Sequence, residues 1–202
     1  MRIHKFLFLL SVILSTSGCA IGPLVLHESA RTVGNSNSEI IGGYGQAGGI
    51  FKWNYGLTDN LDIGVHWESL SLGVRAKYAF INSKSSGWSF ASAIGTGTSF
   101  GGSHYYADLI LSHFSGAWEP YSALRFVHVK NDPLEFKNKD TGAVDFKING
   151  SEYDYGQIIL GSRYWFDKSW LFSLEASTFT TLSSEFIVDT GLIVGGAFGY
   201  RF

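Results

Sequence analysis

Proline is scarce in this chain, with 3 in 202 residues, and cysteine occurs once. A single thiol can form no intrachain disulfide and no cysteine-based zinc site. A basic surplus is missing as well. Lys and Arg number 15 against 17 Asp and Glu, a net charge of −2. That balance argues against a nucleic-acid binder, because gripping phosphates requires a positive face. Past the leader no apolar run approaches the ~18 residues of a membrane-spanning helix, and no stretch carries a convincing helical stripe. What is abundant is different: 16% of the residues are aromatic and 25 are Gly. A disordered chain would be poor in aromatics and rich in charge.

The first twenty residues, MRIHKFLFLLSVILSTSGCA, read as an export signal. Arg2 and Lys5 open it, Phe6 to Leu14 form a short apolar run, and small residues precede Cys19. Two readings of Cys19 stand. The Thr16-Ser17-Gly18-Cys19 stretch resembles a bacterial lipobox, which implies lipidation of Cys19 as the first mature residue; Thr16 departs from the branched apolar residue usual at that place. The other reading is cleavage after Ala20, with Cys19 discarded. Ala20 after a lipidated cysteine fits outer-membrane delivery. The expected organisation is a signal peptide over 1–18, a lead-in segment over 19–37 and one β-domain over 38–202.

Beyond the leader the hydrophobic period is two. Leu192, Val194, Phe198, Tyr200 and Phe202 share one face of the last segment, and Ile193, Gly195, Ala197, Gly199 and Arg201 share the other. The same split recurs over 49–55, 61–67, 70–80, 154–166 and 170–180. A change of phase near Glu68-Ser69 predicts a tight hairpin. Short turns are expected at Thr58-Asp59-Asn60, Gly101-Gly102, Ser115-Gly116 and Asp167-Lys168, and longer polar loops over 131–152 and 183–189. The count is eight strands, or ten if 39–57 and 61–80 are each hairpins.

Alternation alone suits a soluble sandwich or a membrane barrel. The barrel is favoured by the aromatics near strand ends: Trp53, Tyr55, Trp67, Tyr78, Phe80, Trp88, Phe90, Phe166, Trp170, Tyr200 and Phe202. The opposite face is only weakly polar, rich in Gly, Ser and Ala. The fold expected is therefore an all-β, antiparallel, up-and-down transmembrane barrel of 8 to 10 strands. The alternative is a lipid-anchored, periplasm-facing β-sandwich acting as a binding module.

The ending Ala197-Phe198-Gly199-Tyr200-Arg201-Phe202 resembles the C-terminal signature of bacterial outer-membrane β-barrel proteins. Tyr55 to Gly64 is similar to a strand, short turn and next strand in such proteins. The resemblance implies location in the Gram-negative outer membrane. It also implies a barrel-insertion signal at Phe198, Tyr200 and Phe202, the barrel-insertion machinery and outer-membrane lipids as partners, and both chain ends on the periplasmic side.

Alternation then turns Lys52, Asp62, His66, Arg75, Lys77, Asp108, Arg125, Arg163, Glu175 and Arg201 inward. Such a lumen is either a salt-bridged structural core or a narrow pore with a mild preference for anions. Some small barrels of this kind are lipid-modifying hydrolases or acyltransferases, for which His104, His113, His128, Ser112, Asp108 and Glu175 are the candidates. No catalytic set emerges, because His104 and Ser112 lie eight residues apart on one strand, far beyond hydrogen-bond reach at ~3.4 Å per residue. Asp132, Glu135, Asp140, Asp145 and Glu152 do not have calcium-loop spacing. No metal or cofactor is expected. The structural or narrow-channel role stands ahead of the enzyme, and oligomeric state is open.

Overall fold

The computed structural model describes residues 22–46, 48–69, 71–99, 101–137, 144–182 and 191–202. The export signal and Cys19 lie outside them, as does the whole 183–189 loop. Twelve strands follow in order: β1 (Ser38–Gly45), β2 (Gly48–Gly56), β3 (Leu61–Glu68), β4 (Ser71–Ile81), β5 (Gly87–Ser99), β6 (Gly102–Phe114), β7 (Trp118–Asn131), β8 (Leu134–Lys137), β9 (Val144–Ile148), β10 (Ser151–Trp165), β11 (Trp170–Thr181) and β12 (Leu192–Arg201). Every strand except β8 and β9 joins one closed barrel, so the barrel has ten. The pair β8–β9 is a separate hairpin inside the 131–152 loop, which the sequence had suggested was only polar loop.

Each barrel strand pairs antiparallel with its neighbour in sequence, and β7 pairs β10 across the small hairpin. The seam is β1 against β12, in register from Glu39 opposite Arg201 to Gly45 opposite Gly195. Ser38 and Phe202 exchange backbone hydrogen bonds of 2.7 and 2.9 Å at its end. Closure leaves no free strand edge in hydrocarbon, and it excludes the sandwich alternative. The phase change near Glu68 is a hairpin, with Glu68 opposite Ser71. The Gly-rich 39–57 region is a hairpin too, β1 with β2.

The wall alternates as period two requires. Outward side chains are exposed and apolar, among them Ile94, Leu109, Leu124, Phe126, Ile158, Leu160 and Leu174. This is the surface of a barrel whose solvent is lipid, and it sets the protein in an outer membrane. Aromatics crowd the end where the chain leaves at Phe202. Ring centroids there lie 5.2 Å apart for Tyr78–Phe80, 5.6 Å for Phe80–Phe90, 4.9 Å for Trp118–Tyr164 and 4.7 Å for Trp170–Tyr200. Exposed aromatics near the opposite end are fewer, Tyr44, Trp67 and Tyr105 among them. The two girdles expected from the sequence are thus unequal.

Turns after β2, β4, β6 and β10 share the Phe202 end, the turn end. Asp59 there is paired with Lys84 at 2.6 Å, and that bond holds its carboxyl below the usual range. Asp167 accepts the amides of Trp170 and Ser169 at 2.7 Å each, with the same direction of shift. Strands β7 and β11 end, and β10 and β12 begin, at the other end, the loop end. The wall is uneven: β1, β2 and β3 have 8, 9 and 8 residues, whereas β6, β7 and β10 have 13, 14 and 15.

Candidate functional site in the barrel lumen

The segment before β1 runs through the barrel. Residues 22–37 contain no helix or strand, and Val25 to Val33 are buried without exception. Strand β3 serves as a ruler for its direction. The Val33 amide donates to Asp62, near the turn end of β3, at 3.1 Å. The Leu24 amide donates to Glu68, the last residue of β3, at 2.7 Å. At the turn end Thr32 Oγ1 donates to the Asp59 carbonyl. Gly22, the first described residue, lies against Val127 and Tyr155 towards the loop ends of β7 and β10. The chain therefore ascends the lumen as its residue numbers fall.

An extended thread has no ladder of its own, so its amides and carbonyls need partners from the wall. The wall supplies them by charge type. Glu175 accepts the amides of Leu26 and His27 at 2.7 and 2.5 Å. Ser112 Oγ accepts that of Ala30 at 3.2 Å. Lys52 Nζ donates to the carbonyls of Val25 and Leu26 at 2.9 and 2.8 Å, and Lys77 Nζ to those of Ser29 and Arg31 at 3.3 and 2.8 Å. Arg125 reaches the Pro23 carbonyl at 2.7 Å, and Gln157 reaches that of Leu24 at 2.6 Å. His27 bends the thread, with φ of 46°, and its Nδ1 meets Ser173 Oγ at 3.1 Å.

Two charged side chains of the thread are clamped in turn. Glu28 lies 2.6 Å from Arg75, 3.7 Å from Lys77 and 3.9 Å from Lys52. Arg31 makes a two-pronged contact with Glu119, at 2.7 and 3.1 Å, and sits over the Phe114 ring at 3.8 Å. Trp165 Nε1 also donates to Glu119, at 2.9 Å. Wall-to-wall pairs complete the set. Arg125 clasps Asp108 at 2.7 and 3.0 Å, and Glu39 sits between Arg163 at 2.6 Å and Arg201 at 2.7 Å.

The ten residues expected on the lumen face are placed as follows. Lys52, Asp62, His66, Arg75, Lys77, Asp108, Arg125, Arg163 and Glu175 are buried, and Arg201 is partly exposed at the turn end. The sequence reading missed Glu39, Glu68 and Glu119, all buried and inward. A step of two forward from His66, or of two back from Tyr121, reaches Glu68 and Glu119. With them the barrel strands bring equal numbers of inward acids and bases, which removes the basis for an anion preference. The thread itself carried no period, and nothing in the sequence marked it as lumen filling.

The enzyme candidates are dispersed. His104 Nε2 faces Ser71 Oγ at 3.5 Å, Asp108 is held by Arg125, and Ser112 bonds the thread. His113 packs on Trp88 at 4.8 Å between ring centres. His128 bonds Asp154 at 2.8 Å at the outer surface. No serine, histidine and acid converge among these residues.

Inward glycines have a packing role. A Cβ on Gly95 would collide with the Tyr106 ring, and one on Gly161 with the Tyr121 ring. Each tyrosine lies flat across the glycine of the adjoining strand, which leaves the axis to the thread.

No protein-family model matches the chain, and no curated protein matches it. Among solved structures, the NanC porin is similar at 11% identity over 82% of this chain and 98% of that one, with a TM-score of 0.48. The N-terminal β-barrel domain of Pseudomonas aeruginosa OprF is similar at 16% identity over 82% and 96%, TM-score 0.38. A KdgM porin solved in complex with disordered oligogalacturonate is similar at 13% identity over 82% and 98%, TM-score 0.38. The barrel assignment stands on the strand pairings and the apolar wall, without these likenesses.

Proposed function

We propose that this protein is a small outer-membrane barrel with a structural role, held shut by its own N-terminal segment. The observation that carries this reading is the unbroken burial of Val25 to Val33 inside the closed wall. Charges that would line a narrow pore are instead engaged with the thread and with one another. The turn end faces the periplasm in this reading, because long loops outside and short turns inside are the usual asymmetry. Phe198, Tyr200 and Phe202 then form the terminal strand signal for the insertion machinery, and outer-membrane lipids coat the wall. Lipidation of Cys19 belongs to the same proposal, and catalysis does not.

The test compares the full chain with a variant lacking 22–33 but keeping the leader, Cys19 and Ala20. Both are first checked for faster migration of the unboiled protein on a detergent gel. In planar bilayers the full chain is expected to be silent and the shortened one to conduct steadily. Equal, steady conductance from both would overturn the plugged reading.

A further inference from the structure

The direction of the thread has a consequence for topology. An ordinary periplasm-facing start would put both chain ends at the turn end, as the family resemblance implied. Here the C-terminal end is there, whereas the first described residue, Gly22, lies towards the loop ends of β7 and β10. The thread enters beside Ser38, passes Asp62 and Glu28's three cations, and reaches Glu68 at the loop end of β3 by Leu24. Before Leu24 the chain crosses to the taller wall, where Arg125 holds the Pro23 carbonyl at 2.7 Å and Gly22 lies against Val127 and Tyr155. Gly22 and Pro23 are buried and Leu24 is half-buried, so the lumen wall encloses the thread up to its first described residue. Cys19 precedes Leu24 by five residues, and an extended chain of that length reaches ~17 Å.

We propose that the barrel carries its own N-terminal end through the membrane, so that Cys19 and Ala20 lie at the extracellular mouth. The proposal rests on the plugged-barrel reading above. Acyl chains on Cys19 would then sit in the outer leaflet. An anchor on a periplasm-facing start would sit in the inner leaflet instead. A chain with acyl groups at its tip cannot be drawn up a closed, filled lumen. The thread must therefore be laid in before the β1–β12 seam closes, and β1, directly joined to the thread, is one side of that seam.

The test places a short epitope between Ala20 and Ile21 in the full chain. Matching epitopes in the 183–189 loop and in the Ser115–Ala117 turn serve as outer and inner controls. Antibody binding to intact cells, at the level of the loop control, is expected. Binding only after the outer membrane is opened, in a barrel that still shifts on unboiled gels and stays silent in bilayers, would overturn the topology alone. Steady conductance of the unaltered chain would instead bring down the plugged reading itself. Should the epitope block folding, A20K is the smaller variant. Its lysine is expected to take up a membrane-impermeant amine reagent on intact cells, read by peptide mass. Labelling only in broken cells would refute the proposal.

Discussion

Glu28 is the residue whose loss should release the thread, and the size of the effect can be worked from its partners. E28Q keeps the shape and removes the charge. Lys77 would still hold Asp62 at 3.3 Å and two thread carbonyls, and Lys52 would still hold Glu68 at 3.9 Å and two carbonyls. Arg75 has no such reserve, because among the described residues its one hydrogen bond is to Glu28, and its Nε and Nη2 have none. Removing one member of a buried pair strands the other, at a cost of ~3–5 kcal/mol. At ~1.4 kcal/mol per tenfold, the ratio of seated to unseated thread falls by roughly 10² to 4 × 10³. The expected readouts are bursts of conductance absent from the parent chain and a lower temperature for loss of the fast-migrating form. The double variant E28Q/R75Q removes both charges and should recover more than half of the loss, as the asymmetry between breaking and deleting a pair requires. If E28Q melts and conducts like the parent, the thread is not held as described. If the double variant is worse than the single, the stranded Arg75 is not the cause.

Three further outcomes follow from the same geometry. R31A should cost less than E28Q, about 1–3 kcal/mol by thermal melt, because Glu119 keeps the Trp165 indole as a donor. G95V and G161V should each lose about 1–3 kcal/mol by overpacking against Tyr106 and Tyr121, whereas valine at the open, outward Gly42 should be near neutral. The variant lacking 22–33 should show a reversal potential near zero in a salt gradient, because inward Glu39, Asp62, Glu68, Asp108, Glu119 and Glu175 match inward Lys52, Arg75, Lys77, Arg125, Arg163 and Arg201. A clear anion preference would refute that balance.

The wall was largely legible in the sequence, and the filling was not. Alternation is a local signal, so strands such as 170–180 and the inward set from Lys52 to Arg201 could be read residue by residue. The ten-strand count needed the β1–β2 hairpin, which Gly42, Gly43, Gly45, Gly48 and Gly49 obscure by giving no side chains to alternate. Glu39 was lost with it. Glu68 sat at the phase change, and Glu119 lay next to Pro120, where a strand start is hard to place. The thread is invisible for a deeper reason. Its conformation is imposed by partners up to 153 residues away in sequence, as for Leu24 and Ser177, so no period of its own records it.

That dependence also accounts for the composition of the lumen. Irregular backbone survives at membrane depth only where protein groups satisfy it, and each buried amide or carbonyl left unpaired costs about 1–3 kcal/mol. A thread of alternating donors and acceptors calls for both signs of side chain, acids for its N–H groups and bases for its C=O groups. A selective pore would call for one sign. The mixed, near-balanced lumen is thus what a resident peptide requires. Lys52 shows this most directly, since it serves the Val25 and Leu26 carbonyls and stands near both Glu28 and Glu68. K52M, of similar length, should therefore destabilise the closed state by several kcal/mol through unpaired carbonyls and carboxylates together. If the lumen were merely a salt-bridged core indifferent to the thread, K52M would be equally damaging in the variant lacking 22–33. The expectation is that most of its effect disappears there, and thermal melts of the four proteins decide between the two.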